Sequence, residues 1–415
     1  VRSIRLAIFP ARAYFGASAA SWVLLQQVAV RGLAAVKFLV LGRLLGPAAI
    51  GSVSVALLAV AVAEALSDTG LAQAVVQGRE TPTRSELGAL WTTLAARGLL
   101  ISLALLALAP LMTHQFHLDG ALALLQLAAL VPLIRGLASP TYYVLARERG
   151  FQRIAGIEVS SAVLDCGLGV ACAFAGAGAY SLLLGMAAGE SLKSALTWST
   201  MMPRPPLRLR WSGIGHYLGF SRWIWASSVV NLLLNQFDKV IVAKLLGPAS
   251  LGAYQMSSKL AQMLLADAAI AMSQYLFPTF AAHYRSEPQA AARMLRRYLV
   301  VVAAGLTVLV IVLRLLAAPL FALLLGSAWQ AAVPLFRIFV INMAIGALIA
   351  VLAAYLRAVG RPKAGTQASV LQALVLCTLV PPATRFWGVT GIAWAMTAGL
   401  AVAAGWMFYR AFREA

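Results

Sequence analysis

Long apolar runs separated by short polar breaks recur along the whole chain. They centre near Val30, Val60, Leu100, Leu130, Gly167 and Met186, then near Leu233, Leu265, Leu309, Ile345, Leu376 and Thr397. Each is about 20 residues long, enough to cross hydrocarbon as a helix, which predicts an all-α integral membrane protein of about twelve transmembrane helices. The polar/apolar alternation of a membrane barrel is missing. The longest polar stretch is MMPRPPLRLRWSGIGHY, Met201 to Tyr217. It predicts a basic, Pro-rich cytoplasmic linker over 201–216, joining two six-helix lobes at 1–200 and 217–415.

Two of the breaks are near copies. Leu44-Leu45-Gly46-Pro47-Ala48 aligns with Leu245-Leu246-Gly247-Pro248-Ala249, and Gly51 with Gly252, at an offset of 247 − 46 = 201 residues. Alone, Leu-Leu-Gly-Pro is a generic turn in which Gly ends one helix and Pro starts the next. The shared flanks at half the chain length predict a duplication. An even number of spans lies between the copies, so both cross in the same direction. The lobes are therefore expected to be related by a pseudo-two-fold axis along the membrane normal, with a substrate path between them.

Composition agrees: 61% of the 415 residues are hydrophobic and only 11% charged, against roughly 25% charged in soluble domains. A formal charge of +20 would suggest nucleic acid in a soluble protein. Here the bases gather at alternate breaks: Arg147, Arg149 and Arg153; Arg204, Arg208 and Arg210; Arg285, Arg293, Arg296 and Arg297; Arg357, Arg361 and Lys363; Arg410 and Arg413. The intervening breaks, such as HQFHLDG and GAGAY, hold almost none. This is the positive-inside pattern, with both termini cytoplasmic, and it argues against nucleic acid as a partner. Bases without an apolar core before GASAAS predict no cleavable signal peptide.

Minor motifs add little chemistry. Cys166, Cys172 and Cys377 sit in apolar runs and are expected as buried thiols without disulfide or metal spacing. His114, His117 and Asp119 form an H-x-x-H near a break, but a fourth ligand is lacking and no metal is expected. The G-x-G at Gly167 and Gly169 reads as small-residue helix packing. Trp22, Trp211, Tyr217, Trp223, Trp329 and Trp387 are expected in interface belts, with sugar stacking as the alternative role.

LLGPAAIGSVSVALLAVAVAEALSDTGLAQAVVQGRE, Leu44 to Glu80, resembles the first helices of bacterial Wzx-type flippases of lipid-linked oligosaccharide. These polysaccharide transporters share the MOP superfamily with MATE multidrug exporters and the lipid II flippase. LSDTGLAQAVVQ, Leu66 to Gln77, is the most specific piece; ARERGFQRIAGIE, LLGPASLGAYQMSSKLA and FPTFA also match. The similarity covers nearly the whole chain and is strongest to the exopolysaccharide, colanic-acid-like branch. It implies a MATE-like fold in the bacterial inner membrane and a non-enzymatic secondary transporter. The implied cargo is an undecaprenyl-diphosphate oligosaccharide, moved to the outer leaflet by alternating access for exopolysaccharide or O-antigen-type biosynthesis. A polysaccharide polymerase is the implied partner. No cofactor is implied beyond H+ or Na+ coupling. Some members carry two further C-terminal helices; the pattern here ends after its twelfth run, so a lipid groove made of extra helices is not expected.

Charges inside such spans cost roughly 2.5–3.5 kcal/mol each and so are candidates for function. A diphosphate crossing the membrane needs fixed cations, best Arg or Lys. Arg31 lies about fifteen residues from Gly46, near mid-membrane at 1.5 Å per residue, and is the first candidate diphosphate ligand; Lys37, Lys239 and Lys259 follow. Structural pairing is the competing role for each. Glu64 and Asp68, spaced i, i+4, share a helix face and are candidate coupling acids, as is Asp267. Asp238 falls at the repeat position of Lys37 (238 − 201 = 37), and two expectations stand: a closing contact between the lobes, or separate pairing within each lobe. Arg97, Arg135, Asp165, Glu190, Lys193, Arg314 and Arg337 complete the intramembrane charges. A cation-coupled multidrug antiporter is the alternative function, and a membrane glycan enzyme a more distant one.

Overall fold

In the computed structural model the described residues are 17–413, except 69, 79–80, 119, 203 and 207–214; side chains at 17–20, 215–224, 226–227, 266–274, 286 and 288 lie outside the description. The first half of the chain, called lobe one below, contains α1 (Ala17–Leu66), α2 (Leu71–Gln77), α3 (Arg84–Gln115), α4 (Leu122–Gly136), α5 (Thr141–Arg147), α6 (Phe151–Phe174) and α7 (Tyr180–Thr200). The second half, called lobe two, contains α8 (Gly215–Ala261), a π-helical turn at Gln262–Ala266, α9 (Asp267–Ser286), α10 (Pro288–Leu315) and α11 (Ala317–Leu324). A 3-10 turn at Ser327–Ala332, α12 (Val333–Ala358) and α13 (Lys363–Phe412) complete it. The described residues include no strand. Among the described residues six helices are individually long and apolar enough to cross a membrane, seven if α4 and α5, bent by 60°, form one broken span. The chain is a multi-pass membrane protein.

The internal copy is as plain in the backbone as in the sequence. α1 breaks at Gly46 (φ 73°, ψ 175°) and α8 at Gly247 (φ 79°, ψ 174°). These dihedrals lie where a side chain is strained, and the proline that follows each restarts the helix. Each long helix therefore folds into two arms at its glycine. α13 also breaks at a glycine, Gly388 (φ 56°, ψ −139°), but with no proline after it.

Within lobe one α6 packs on α7 and α1, and α3 on α4; within lobe two α12 packs on α13, α9 and α8. Small residues let α6 and α7 approach: a Cβ on Gly185 would lie 2.5 Å from the Asp165 carbonyl oxygen and 2.9 Å from Gly169 Cα. Capping is explicit at α3, where Thr83 accepts from the Glu86 N–H and Glu86 accepts from the Thr83 N–H, satisfying two orphan donors.

The lobes meet along α1 and α8. At the end carrying Gly46 and Gly247 the meeting is reciprocal. A Cβ on Gly51 would collide with the Pro248 carbonyl oxygen, and a Cβ on Gly252 with that of Pro47. Beside this contact the Trp329 indole donates to the Gly42 carbonyl at 2.9 Å and Arg43 donates to the Leu323 carbonyl at 2.5 Å. Trp329 is fully buried, so it is a rivet between lobes and not a belt residue. Trp22 and Trp387 are exposed, as a belt requires; Trp211 and the side chains of Tyr217 and Trp223 lie outside the described residues.

The cysteines also divide. Cys166 is buried, Cys172 half-buried and Cys377 exposed, which corrects the expectation of three buried thiols. An apolar helix face turned to lipid reads in sequence like one turned to the core.

Candidate functional site

Away from the glycine contact the lobes diverge around a cavity of about 800 Å³. The second arm of α1 supplies Glu64 and the turn after it Asp68, α3 supplies Arg97, α4 Arg135, α5 Tyr142 and Tyr143, and α7 Glu190, Lys193 and Thr197. From lobe two, α8 supplies Ser228, Asn231, Asn235 and Gln236.

Lobe one contributes all the charge on this lining: Arg97, Arg135 and Lys193 against Glu64, Asp68 and Glu190. Arg135 acts as a fork. Its Nη1 donates to both Glu64 oxygens, at 3.0 and 3.1 Å, and its Nε donates to Glu190 at 2.7 Å. Lys193 pairs with Glu158 at 2.6 Å, which also accepts from the Tyr142 hydroxyl at 2.7 Å. Arg97 differs from both: it donates to the Ser67 hydroxyl at 3.1 Å and to the Glu64 carbonyl at 2.7 Å. Among the described lining cations it alone has no carboxylate partner, so its charge is the least compensated.

Of the Leu66–Gln77 motif, Asp68 reaches this wall. Asp68 accepts from the Gly70 N–H at 3.0 Å, turning the chain from α1 into α2. Its other oxygen accepts from the Ser228 hydroxyl of lobe two at 2.7 Å, and Trp225 donates to the Leu66 carbonyl at 2.8 Å. Two hydrogen bonds thus span the lobes beside the cavity.

Glu64 and Asp68 both line the cavity, but not as one helix face: α1 ends at Leu66, and Asp68 lies in the turn beyond it. The four expected diphosphate ligands lie elsewhere. Arg31 is exposed on the first arm of α1 and bonds Gln27 at 3.2 Å. Lys37 is buried in an ion pair with Asp165 and also donates to the Leu182 carbonyl at 3.2 Å. Lys239 donates to the Asn235 carbonyl at 2.6 Å and to Gln236 at 3.1 Å, and Lys259 donates to Gln262 at 3.3 Å. None of these four lines the cavity. Residue count gives a base its depth in the membrane but not its azimuth around the helix. The side chain of Asp267 lies outside the described residues, as does Asp119.

Asp238 is buried and accepts from Tyr254 at 2.5 Å. Lys37 and Asp238 each find a partner within their own lobe, which favours the second of the two expectations. Tyr254→Phe keeps the ring against Phe339, whose centroid is 4.8 Å away, and deletes this donor. The variant is expected to lose roughly 1–3 kcal/mol of stability, read as a lower Tm in detergent; an unchanged Tm would show that Asp238 does not depend on the bond.

A family model described as polysaccharide biosynthesis protein matches residues 40–334. The chain is 24% identical over 266 residues to the lipopolysaccharide biosynthesis protein WzxC of Escherichia coli (strain K12), covering 64% of this chain and 54% of that protein. It is 26% identical over 343 residues to the succinoglycan biosynthesis transport protein ExoT of Rhizobium meliloti (strain 1021), covering 82% of this chain and 68% of that one. The chain thus spans about half the length of the first relative and two thirds of the second. Among solved structures, the lipid II flippase MurJ in its inward closed conformation superposes with a TM-score of 0.74 at 12% identity, covering 95% of this chain and 87% of that one. An inward-facing MATE multidrug transporter of the MOP superfamily gives 0.64 at 16% identity, covering 95% and 98%. At these identities the structural likeness establishes the two-lobe fold alone.

Proposed function

Because the chain belongs to the polysaccharide biosynthesis protein family, we propose that it is a flippase for undecaprenyl-diphosphate-linked oligosaccharide. It moves its cargo from the inner to the outer leaflet of the bacterial cytoplasmic membrane by alternating access, and performs no covalent chemistry. The observation that carries this reading is Arg97, a cation without a carboxylate partner on the wall of an inter-lobe cavity. A diphosphate leaving water gains charge-assisted hydrogen bonds there.

The reading takes the basic breaks, among them Arg147 to Arg153 and Arg285 to Arg297, as cytoplasmic; the cavity mouth then faces the cytoplasm and the glycine contact the exterior. Twelve passes, with lobes at 1–200 and 217–415 and a linker at 201–216, belong to the same proposal, and the breaks at Gly46, Gly247 and Gly388 support it. Coupling to H+ or Na+ is assigned to Asp68, whose carboxylate bridges the lobes through Ser228. A polysaccharide polymerase is the proposed partner.

The test is complementation of a strain lacking its own exopolysaccharide flippase. The wild-type chain is expected to restore polymer and clear lipid-linked repeat units from the inner leaflet, and Arg97→Ala to leave them there, with polymer reduced at least tenfold. Full rescue by Arg97→Ala removes it as the diphosphate ligand. Restored drug resistance without polymer points instead to a multidrug-type antiporter.

A further inference from the structure

The two walls of the cavity differ in kind. Lobe one supplies the charged groups, whereas the lining from α8 is Ser228, Asn231, Leu232, Asn235 and Gln236. These positions run i, i+3, i+4, i+7, i+8, so they form one helix face. The face is polar without being charged, which is unusual on a membrane helix, where each amide must be compensated.

Much of that amide capacity is unspent. Among the described residues the Asn231 side chain makes no hydrogen bond. Asn235 uses only its NH2 group, on the Asn231 carbonyl at 2.8 Å. Gln236 uses only its carbonyl, which accepts from Lys239 at 3.1 Å. A free amide offers a donor and an acceptor side by side, as does a pair of neighbouring sugar hydroxyls. From residue 228 to 236 the face extends about 12 Å at 1.5 Å per residue, room for a short oligosaccharide.

We propose that the α8 face bearing Asn231, Asn235 and Gln236 is the glycan wall of the cavity, hydrogen-bonding neutral sugar hydroxyls while lobe one faces the anionic diphosphate. This rests on the flippase reading and assigns the two halves of the cargo to opposite lobes. Hydroxyl recognition by amides discriminates on what the sugar can donate and accept, so this wall sets which glycan is carried.

The test uses the full chain in nanodiscs with two probes: undecaprenyl diphosphate, and undecaprenyl diphosphate bearing a neutral tetrasaccharide. Wild type is expected to bind the glycosylated probe at least tenfold more tightly. Asn231→Ala/Asn235→Ala is expected to cut that preference below threefold while binding the bare lipid within twofold of wild type. The single variant Asn231→Ala loses no internal side-chain hydrogen bond and guards against a folding artefact; it is expected to lower the preference at least threefold. Arg97→Gln should weaken both probes by the same factor. A wild type without preference, or amide variants that keep the full preference, overturn the glycan wall. Failure of wild type to bind either probe overturns the flippase reading itself.

Discussion

Gly51→Leu, or equally Gly252→Leu, is expected to lower transport at least tenfold in a protein that still inserts and folds. Each glycine faces the carbonyl oxygen of the opposite lobe's proline with no space for a Cβ, and backbone cannot yield as a flexible side chain can. A leucine must push α1 and α8 apart at the end near Gly46 and Gly247. The Trp329 bond to Gly42 and the Arg43 bond to Leu323 stretch with them. Contacts within each lobe do not depend on this meeting, so the predicted effect is a shift of population toward the state open at that end. On the flippase reading, alternating access then stalls because one of its two states has been removed. Spin labels at Ala48→Cys and Ala249→Cys, in a background without Cys166, Cys172 and Cys377, read the opening directly. Both alanines are exposed and sit beside the paired prolines. The inter-label distance should lengthen by several ångströms in Gly51→Leu; normal transport at an unchanged distance would refute the closing role of the glycine pair.

Arg135→Ala should be the most damaging change within the cavity wall. The substitution leaves Glu64 and Glu190 sharing a partly desolvated site without the cation that separates them. Arg135 and Glu64 retain side-chain exposures of 37% and 29%. The loss therefore falls between those of exposed and buried pairs, about 1–3 kcal/mol, with transport reduced at least tenfold. Arg135→Lys should recover only part of this, because an ammonium cannot hold two carboxylates in the guanidinium's planar fork. Adding Glu190→Gln to Arg135→Ala should restore stability by relieving the repulsion, and thermal melts of the four proteins form the cycle that measures it. Strict additivity in that cycle would mean that the two side chains do not act through one another.

What sequence could and could not supply follows from how lipid changes the reading of a helix. The apolar runs and the turns at Gly46 and Gly247 were legible because length and backbone demands are local. Glu64 and Asp68 face one cavity for a reason that i, i+4 spacing does not give, since the helix ends at Leu66 and a turn places Asp68. The ranking of the cations was not legible. In a soluble helix the apolar stripe tells inside from outside, but here both the packed face and the lipid face are apolar. Depth put Arg31 first, with Lys37, Lys239 and Lys259 after it and Arg97, Arg135 and Lys193 only among the remaining intramembrane charges, yet the last three line the cavity. Trp329 and Cys377 escaped for the same reason, one turned inward and the other outward. Only packing decides between those directions.

The crossed contact of Gly51 with Pro248 and Gly252 with Pro47 is the arrangement that two identical subunits make about a dyad. The geometry of that contact does not require a single polypeptide; a pair of half-length chains satisfies it equally. What covalent fusion adds is liberty for the copies to diverge. Lys37 with Asp165 in one half and Asp238 with Tyr254 in the other are different answers at one inherited position. The charged and amide walls carry that divergence into the cavity, where a symmetric pair would offer an asymmetric cargo the same surface twice.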